Sequence, residues 1–297
     1  MIKKRLAKIF RETLTRISPK LNTYVLYRVK FHRRLNLKNP RTLNEKILWL
    51  KFNTYWENVN VKKCADKFEV REYIKEIGCE EILNDLIAVY EKVDDIEWEY
   101  LPQQFVIKLN VGCGCNLIIQ NKSEYSFLEV KKKIKKWMKI KHYLGYSEMQ
   151  YKGVKPYILV ENYLKNNDGR KIDDYKFYCF NGSAPYVMVC VARDDLGHNA
   201  KFFYFNRDWQ MQMMSEDAIK YGATTEIPKP INIDKAFDYA EKISKGFPFV
   251  RVDLYLVNGK VYFGEMTFTP GGAMDQGRLI ETDKMLGEML NLENEVK

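Results

Sequence analysis

Residues 250–272 read VRVDLYLVNGKVYFGEMTFTPGG. Two β-rich apolar runs flank Asn258-Gly259, which is the chemistry of a hairpin turn. Yet Arg251, Asp253, Glu265 and Thr267 are written into those runs. Side chains alternate between the two faces of a strand, so the loop length decides which of these groups meet. A plain two-residue Asn-Gly turn pairs Val257 with Lys260 and Asp253 with Gly264, and it points Glu265 away from Asp253. A three-residue loop over 257–259 shifts the pairing by one, and Gly259 supplies the left-handed residue that such a loop needs. That register is the expectation. It puts Arg251, Asp253, Glu265 and Thr267 on one face, and Val252, Leu254, Leu256, Tyr262 and Met266 on the other. Two converging carboxylates call for a cation between them, and oxygen ligands on a fixed scaffold suit Mg²⁺. The plainer alternative is a solvated sheet face with an Arg–Asp pair.

The chain around this hairpin has 297 residues, enough for two or three lobes. Hydrophobic residues make up 46% and charged residues 30%, which fits a soluble globular enzyme and argues against disorder. No apolar run approaches a membrane span. Six cysteines (Cys64, Cys79, Cys113, Cys115, Cys179, Cys190) lack the density of a disulfide framework, so a reducing cytoplasm is expected. Cys113 and Cys115 form a C-x-C without a second Cys or His pair, and His32, His142 and His198 are scattered, so no zinc site is expected.

The net charge of +10 is concentrated early. In MIKKRLAKIFRETLTRI (1–17), Ile2, Leu6, Ile9, Phe10, Leu14 and Ile17 fall along one helical stripe. Lys3, Lys4, Arg5, Lys8, Arg11 and Arg16 cover the rest. Charges interrupt the stripe too early for a secretory signal. Two readings stay open: a basic amphipathic helix on an anionic membrane surface, or a helix packed on the protein's own core with a wet basic face.

Residues 1–60 read as helical, and ADKFEVREYIKEIG (65–78) as a further amphipathic helix stopped by Gly78. LIAVYEKVDDI and QFVIKLNVGCGCNLIIQ read as strands, the latter broken by a glycine turn. SEYSFLEVKKKIKKWMKI is a lysine-faced helix, KPYILVENYL a strand, and DDYKFYCFNGSAPYVMVCVA a hairpin around Asn181-Gly182. INIDKAFDYAEKISKGF reads as a helix feeding the opening hairpin, and TDKMLGEMLNL as the last helix. Antiparallel hairpins mixed with helices make the fold class α+β. Three regions are expected: a helical one (1–60), a first lobe with the glycine loop (61–165) and a second lobe with the metal site (166–297).

In QFVIKLNVGCGCN, alternation puts Val106, Lys108 and Asn110 on one face and Phe105, Ile107 and Leu109 on the other. A lysine entering a glycine turn can meet a phosphate. Gly112 and Gly114 remove the Cβ atoms that would block the phosphate from backbone N–H groups. Gly turns also join ordinary strands, so the motif alone is not specific.

The order of the pieces carries more. Asp66-Lys67 opens a helix, Lys108 precedes the glycine loop, and a strand ends at Glu161-Asn162-Tyr163-Leu164. Asp174 and Lys176 share a strand, and the hairpin with Arg251, Asp253, Glu265 and Thr267 comes last. This succession resembles the ATP-grasp superfamily. The wording LNEKILWLKFN, DKFEVREYI, FVIKLNVGCG, DYKFYCFNG, KGFPFVRVDLY and YFGEMTFTPGG is similar to its TupA-like branch, linked to teichuronopeptide and capsular polysaccharide synthesis. The resemblance implies an ATP-grasp fold of two α+β lobes gripping ATP, with ATP and Mg²⁺ as cofactors. Lys67 and Lys108 would hold phosphates under the 111–116 loop. Glu161, Tyr163 and Leu164 would line the adenine hinge, with Glu161 near the amino group, and Asp174 would meet the ribose with Lys176 beside it. Asp253 and Glu265 would hold Mg²⁺ with Thr267 as a third ligand, and Arg251 would steady the transferring phosphoryl group. Thr267 departs from the Asn that many relatives carry. The helical region is too short for the usual N-terminal domain. The Gly loop begins Asn110-Val111 rather than Asn-His. Arg193 and His198 are substrate-side candidates. The implied activity is carboxylate–amine ligation through an acyl phosphate, on a glycan or sugar carboxylate and a small amine, with no nucleic acid expected. A sugar kinase on the same nucleotide lobe and a non-enzymatic basic module are the rival readings.

Overall fold

The computed structural model describes residues 2–191 and 199–293. The chain opens with α1 (Ile2–Ile17) and α2 (Pro19–Phe31). Between them Ser18 accepts from Leu21 N at 3.2 Å and Pro19 takes the first helical position, a strong local start. After an irregular segment, α3 (Leu43–Leu50) starts from a capping box in which Thr42 and Glu45 satisfy each other's backbone N–H groups. A π-turn (Lys51–Tyr55) leads to α4 (Val59–Ala65) and α5 (Val70–Glu76).

The helix expected over 65–78 is therefore shorter. The Asp66 carboxylate accepts from Phe68 N at 2.7 Å and Glu69 N at 3.2 Å, while Lys67 N donates to Asn110 O at 2.8 Å. These bonds draw the backbone away from α4 and into a turn before α5 begins.

A four-stranded antiparallel sheet follows, from β1 (Leu86–Tyr90), β2 (Phe105–Leu109), β3 (Asn116–Ile119) and β4 (Ile158–Asn162), in the order β1-β4-β2-β3. Between β3 and β4 lie α6 (Phe127–Trp137) and the short α7 (Tyr143–Tyr146). The alternation in β2 behaves as expected: Phe105, Ile107 and Leu109 are buried with Ile134 of α6, and Lys108 faces the other way. Trp98 stacks on Phe127 at 5.1 Å and closes this smaller core.

The second sheet has six antiparallel strands: β5 (Asp174–Phe180), β6 (Ser183–Val191), β7 (Lys201–Phe205), β8 (Met211–Gln212), β9 (Phe249–Val257) and β10 (Lys260–Thr267), ordered β10-β9-β5-β6-β7-β8. The helices α8 (Glu216–Tyr221), α9 (Ile233–Ser244) and α10 (Ile280–Met289) complete the chain. Phe237, Ala240 and Ile243 of α9 cover one face, where Phe177, Val252 and Leu254 are fully buried. Leu26, Leu48, Val61 and Ile74 from α2–α5 belong to the same core. The opposite face of β5 and β9 carries Asp174, Lys176, Arg251 and Asp253.

The opening hairpin reaches its polar face by a different route from the expected three-residue loop. Val257 pairs with Lys260, so the turn is the two-residue Asn258-Gly259, with φ of 52° and 76°. This is the primed geometry that matches strand twist. A β-bulge at Gly264 then shifts the register, so that Glu265 stands directly opposite Asp253 and Thr267 opposite Arg251. Tyr262, expected on the apolar face, pairs with Tyr255 instead; Val261 and Phe263 fill the core in its place.

Candidate functional site

Gly264 explains how two acids come to face each other. A Cβ there would sit 2.8 Å from Asp253 O and 3.1 Å from the Tyr255 ring. Only a glycine lets the bulged strand lie this close to β9. The bulge brings four groups from two adjacent strands together. Arg251 Nε donates to Asp253 Oδ1 at 2.6 Å and its Nη2 to Asp253 Oδ2 at 2.7 Å, a bidentate clamp. The same Nη2 reaches Thr267 Oγ1 at 3.2 Å, and Thr267 donates to Glu265 Oε1 at 3.3 Å. From β5, paired with β9, Lys176 Nζ lies 3.0 Å from Asp253 Oδ2 and 3.2 Å from Asp174 Oδ2.

The smaller sheet reaches this cluster through Lys67. Its Nζ is 2.9 Å from Glu265 Oε2 and donates to Gly112 O at 2.9 Å, so one ammonium ties the glycine loop to the larger sheet. The loop is anchored at its base by the fully buried Asn110. That side chain donates to Asp66 Oδ2 at 2.6 Å and accepts from Tyr157 N at 2.7 Å. Gly112 has φ of 76°, and the His142 ring packs where its Cβ would be. Gly114 has φ of 72° and open space above it. A backbone this bare can approach a ligand closely.

Lys108 and Glu161 form a second pair. Lys108 Nζ is 2.8 Å from Glu161 Oε2, and Arg71 approaches Oε1 at 3.9 Å. Glu161 sits on β4 opposite Val106 of β2. Its buried side chain thus holds the lysine that enters the glycine loop. The segment that follows is braced by Asn84, whose Nδ2 donates to Asn162 O at 2.8 Å. Tyr163 and Leu164 continue half-buried from there. Burial pushes the Tyr255 hydroxyl well above the usual range, and Asp174, Glu265, Asp253 and Glu161 push it further.

The electrostatics make the network self-consistent. Burial would raise the Glu265 carboxyl, but Lys67 and Arg251 outweigh it and hold it at about 2. Burial would lower Lys67 and Lys176, yet Glu265 and Asp253 respectively keep both above the ordinary lysine range. Arg251 is raised by Asp253 in spite of its burial. His142, beneath the loop, is lowered by burial and by Lys67.

The structure thus joins Lys67, Gly112, Asp174, Lys176, Arg251, Asp253, Glu265 and Thr267, and sets Lys108 with Glu161 beside them. Arg193 and His198 lie outside the described residues. A further set of side chains borders the site without having been singled out in the sequence. Thr269 Oγ1 donates to Glu148 Oε1 at 2.7 Å and accepts from Gln150 Nε2 at 3.0 Å. Glu148 and Glu265 both act on the Cys113 thiol and the Tyr151 hydroxyl, which burial raises first. Burial raises the Glu148 carboxyl and lowers the neighbouring Lys51 to about 7. Thr269 was legible in principle, as it continues the alternation of Glu265 and Thr267. Glu148 carries no local signal.

A family profile described as TupA-like ATPgrasp matches residues 45–291. The chain belongs to the TupA-like ATP-grasp family. Solved structures with a similar fold include a D-alanine–D-alanine ligase from Bacillus anthracis, 18% identical, with a TM-score of 0.45 over 76% of this chain and 63% of that one. The corresponding ligase from Helicobacter pylori is 10% identical, with a TM-score of 0.45 over 87% and 69%. The D-cycloserine synthetase DcsG is 13% identical, with a TM-score of 0.42 over 80% and 74%. The TupA-like chain therefore spans about 63% of the length of the first of these ligases. A search of curated proteins finds no match.

Proposed function

We propose that the protein is an ATP-dependent carboxylate–amine ligase that forms an amide through an acyl phosphate. Membership of the TupA-like ATP-grasp family supports the class. The observation that carries the reading is Asp253 directly opposite Glu265, with Lys67, Lys176 and Arg251 converging on the pair. The donor set fits Mg²⁺. It consists of hard oxygens on two paired strands, and Mg²⁺ is commonly held by one or two carboxylates plus substrate phosphates and water. Thr267 is engaged by Arg251 and Glu265, and the carboxylates are themselves paired with Arg251, Lys176 and Lys67, so Mg²⁺ would take carboxylate oxygens that these cations now hold. Bound there, Mg²⁺ would neutralise charge on the phosphates.

The residues of the chain divide the remaining work. Lys67 and Lys108 would hold phosphate oxygens beneath Gly112 and Gly114. The 161–164 hinge would take adenine through its backbone, with Glu161 positioning Lys108 from below. Asp174 and Lys176 would face the ribose and phosphate side, and Arg251 would meet the charge on the transferring phosphoryl group. The four-stranded sheet (86–162) would form one lobe of the grip and the six-stranded sheet (174–267) the other, with α2–α5 packed on the latter rather than on the former. A carboxylate oxygen of the acid would attack the γ-phosphorus, releasing ADP; the amine nitrogen would then form the C–N bond as phosphate leaves with the C–O electron pair. A uronic acid of a capsular or cell-wall glycan precursor is the proposed acid, and an amino acid or small amino alcohol the amine. Both would be met in the cytoplasm or at the inner membrane leaflet.

Mass spectrometry of products from panels of uronic acids and amines with Mg-ATP tests this. ADP and an amide formed only when both partners are present support the reading. ADP with a phosphorylated sugar and no need for amine would make the protein a kinase. No nucleotide binding at all would reduce the cluster to a structural ion network.

A further inference from the structure

The first helix is mounted the unexpected way round. In a globular protein an amphipathic helix turns its apolar stripe to the core. In α1 the groups nearest the body are polar. Thr15, 2% exposed, donates to Leu144 O at 2.8 Å and meets Ser147 Oγ at 3.0 Å. Asn22 of α2 donates to both hydroxyls, and Arg11 lies over the Tyr146 ring at 5.9 Å. Thr15 and Arg11 are four residues apart and share one face. The opposite face carries Leu6, Ile9, Phe10 and Ile17, which are 60%, 51%, 57% and 72% exposed. Every residue from 5 to 10 is exposed, so the first turns stand clear of the body. Leu21, at the start of α2, adds another exposed apolar side chain.

The charges around this stripe select its partner. Residues 1–20 hold seven Lys and Arg and one acid, a net +6 of the chain's +10. The single acid, Glu12, is already 3.8 Å from Lys8 and is half-buried toward the body. A second copy of the same helix would bring cation against cation. An anionic lipid surface matches both features at once, taking the apolar stripe between its headgroups and the cations along its charge. None of the described helices is long and apolar enough to cross a membrane.

We propose that α1 docks the protein on an anionic bilayer through its outward Leu6–Ile9–Phe10–Ile17 face. The α1 seat, Leu144 and Ser147, lies on the same linker as His142, which packs on the glycine loop. The proposal does not depend on the ligase reading, because vesicle binding is measured without ATP or substrates.

The test is co-sedimentation of the full chain with vesicles of phosphatidylglycerol and phosphatidylcholine in equal parts, and with phosphatidylcholine alone. At low salt the bound fraction should rise at least tenfold with the anionic lipid and collapse in high salt. Ile9→Asp with Phe10→Asp should lower partitioning at least tenfold, and so should Arg5→Glu with Arg16→Glu. All four positions are exposed, so melting temperature should hold. Failure of the parent protein to bind either vesicle overturns the proposal. So does equal binding by the Ile9/Phe10 variant, or a concentration-dependent dimer that this variant abolishes while vesicle binding is absent.

Discussion

Gly264→Ala is the sharpest test of how the hairpin makes its site. The added methyl would lie 2.8 Å from Asp253 O and 3.1 Å from the Tyr255 ring. Ordinary contact begins at 3.4 Å, so the strands must part by roughly 0.6 Å, or the bulge must dissolve. Close-packed interiors resist such movement, and overpacking costs about 1–3 kcal/mol. The displaced backbone is that of Asp253, so the damage falls on the carboxylate pair. Misplacing reacting groups by about 1 Å can cost on the order of 10²-fold, so a loss of roughly 10- to 100-fold in Mg-ATP affinity or turnover is expected. If the bulge dissolves, the unshifted register turns Glu265 to the opposite face and the loss is larger. Urea unfolding gives the stability change and calorimetry with Mg-ATP gives the affinity. A Gly264→Ala protein as stable as the parent, with unchanged Mg-ATP affinity, would refute the reasoning.

Other outcomes follow from the same geometry. Asp253→Asn or Glu265→Gln should each lower turnover by about 10² or more while the fold survives, checked by product formation beside circular dichroism. The Glu265 carboxyl is depressed from 4.5 to about 2, so its contribution is fully present above pH 4.5 and lost as pH falls toward 2. Partial exposure screens it, and about 1–3 kcal/mol is expected at neutral pH. The stability gap between parent and Glu265→Gln, measured by denaturant unfolding, should close on acidification through that range. Gly112→Ala puts a methyl on the His142 ring at a φ of 76°, so the loop must shift; nucleotide affinity should fall roughly tenfold or more by calorimetry. Glu148→Gln keeps a partner for Thr269 but removes the charge that faces Cys113 and Tyr151. It should leave Mg-ATP affinity unchanged, read by calorimetry.

Much of this protein is local chemistry and was open to reading in one dimension. Alternation in β2 assigned Lys108 to the site side and Phe105, Ile107 and Leu109 to the core. Asn181-Gly182 and Asn258-Gly259 announced their hairpins, because few residues accept positive φ at both turn positions. The sequence also determined that α1 has an apolar stripe and a basic remainder. It could not say which side faces the body, since helical periodicity is blind to what lies next to it. That was decided by Thr15 and Asn22 meeting Ser147, more than 120 residues away in the chain. The meeting of Asp253 and Glu265 shows the same division. A turn sets register only until a bulge intervenes, and the bulge at Gly264 exists because β10 must lie against the β9 backbone at a spacing no side chain permits. Lys67 reaching both Gly112 and Glu265, and Glu148 meeting Thr269, likewise join segments that only the packed chain brings within hydrogen-bonding distance.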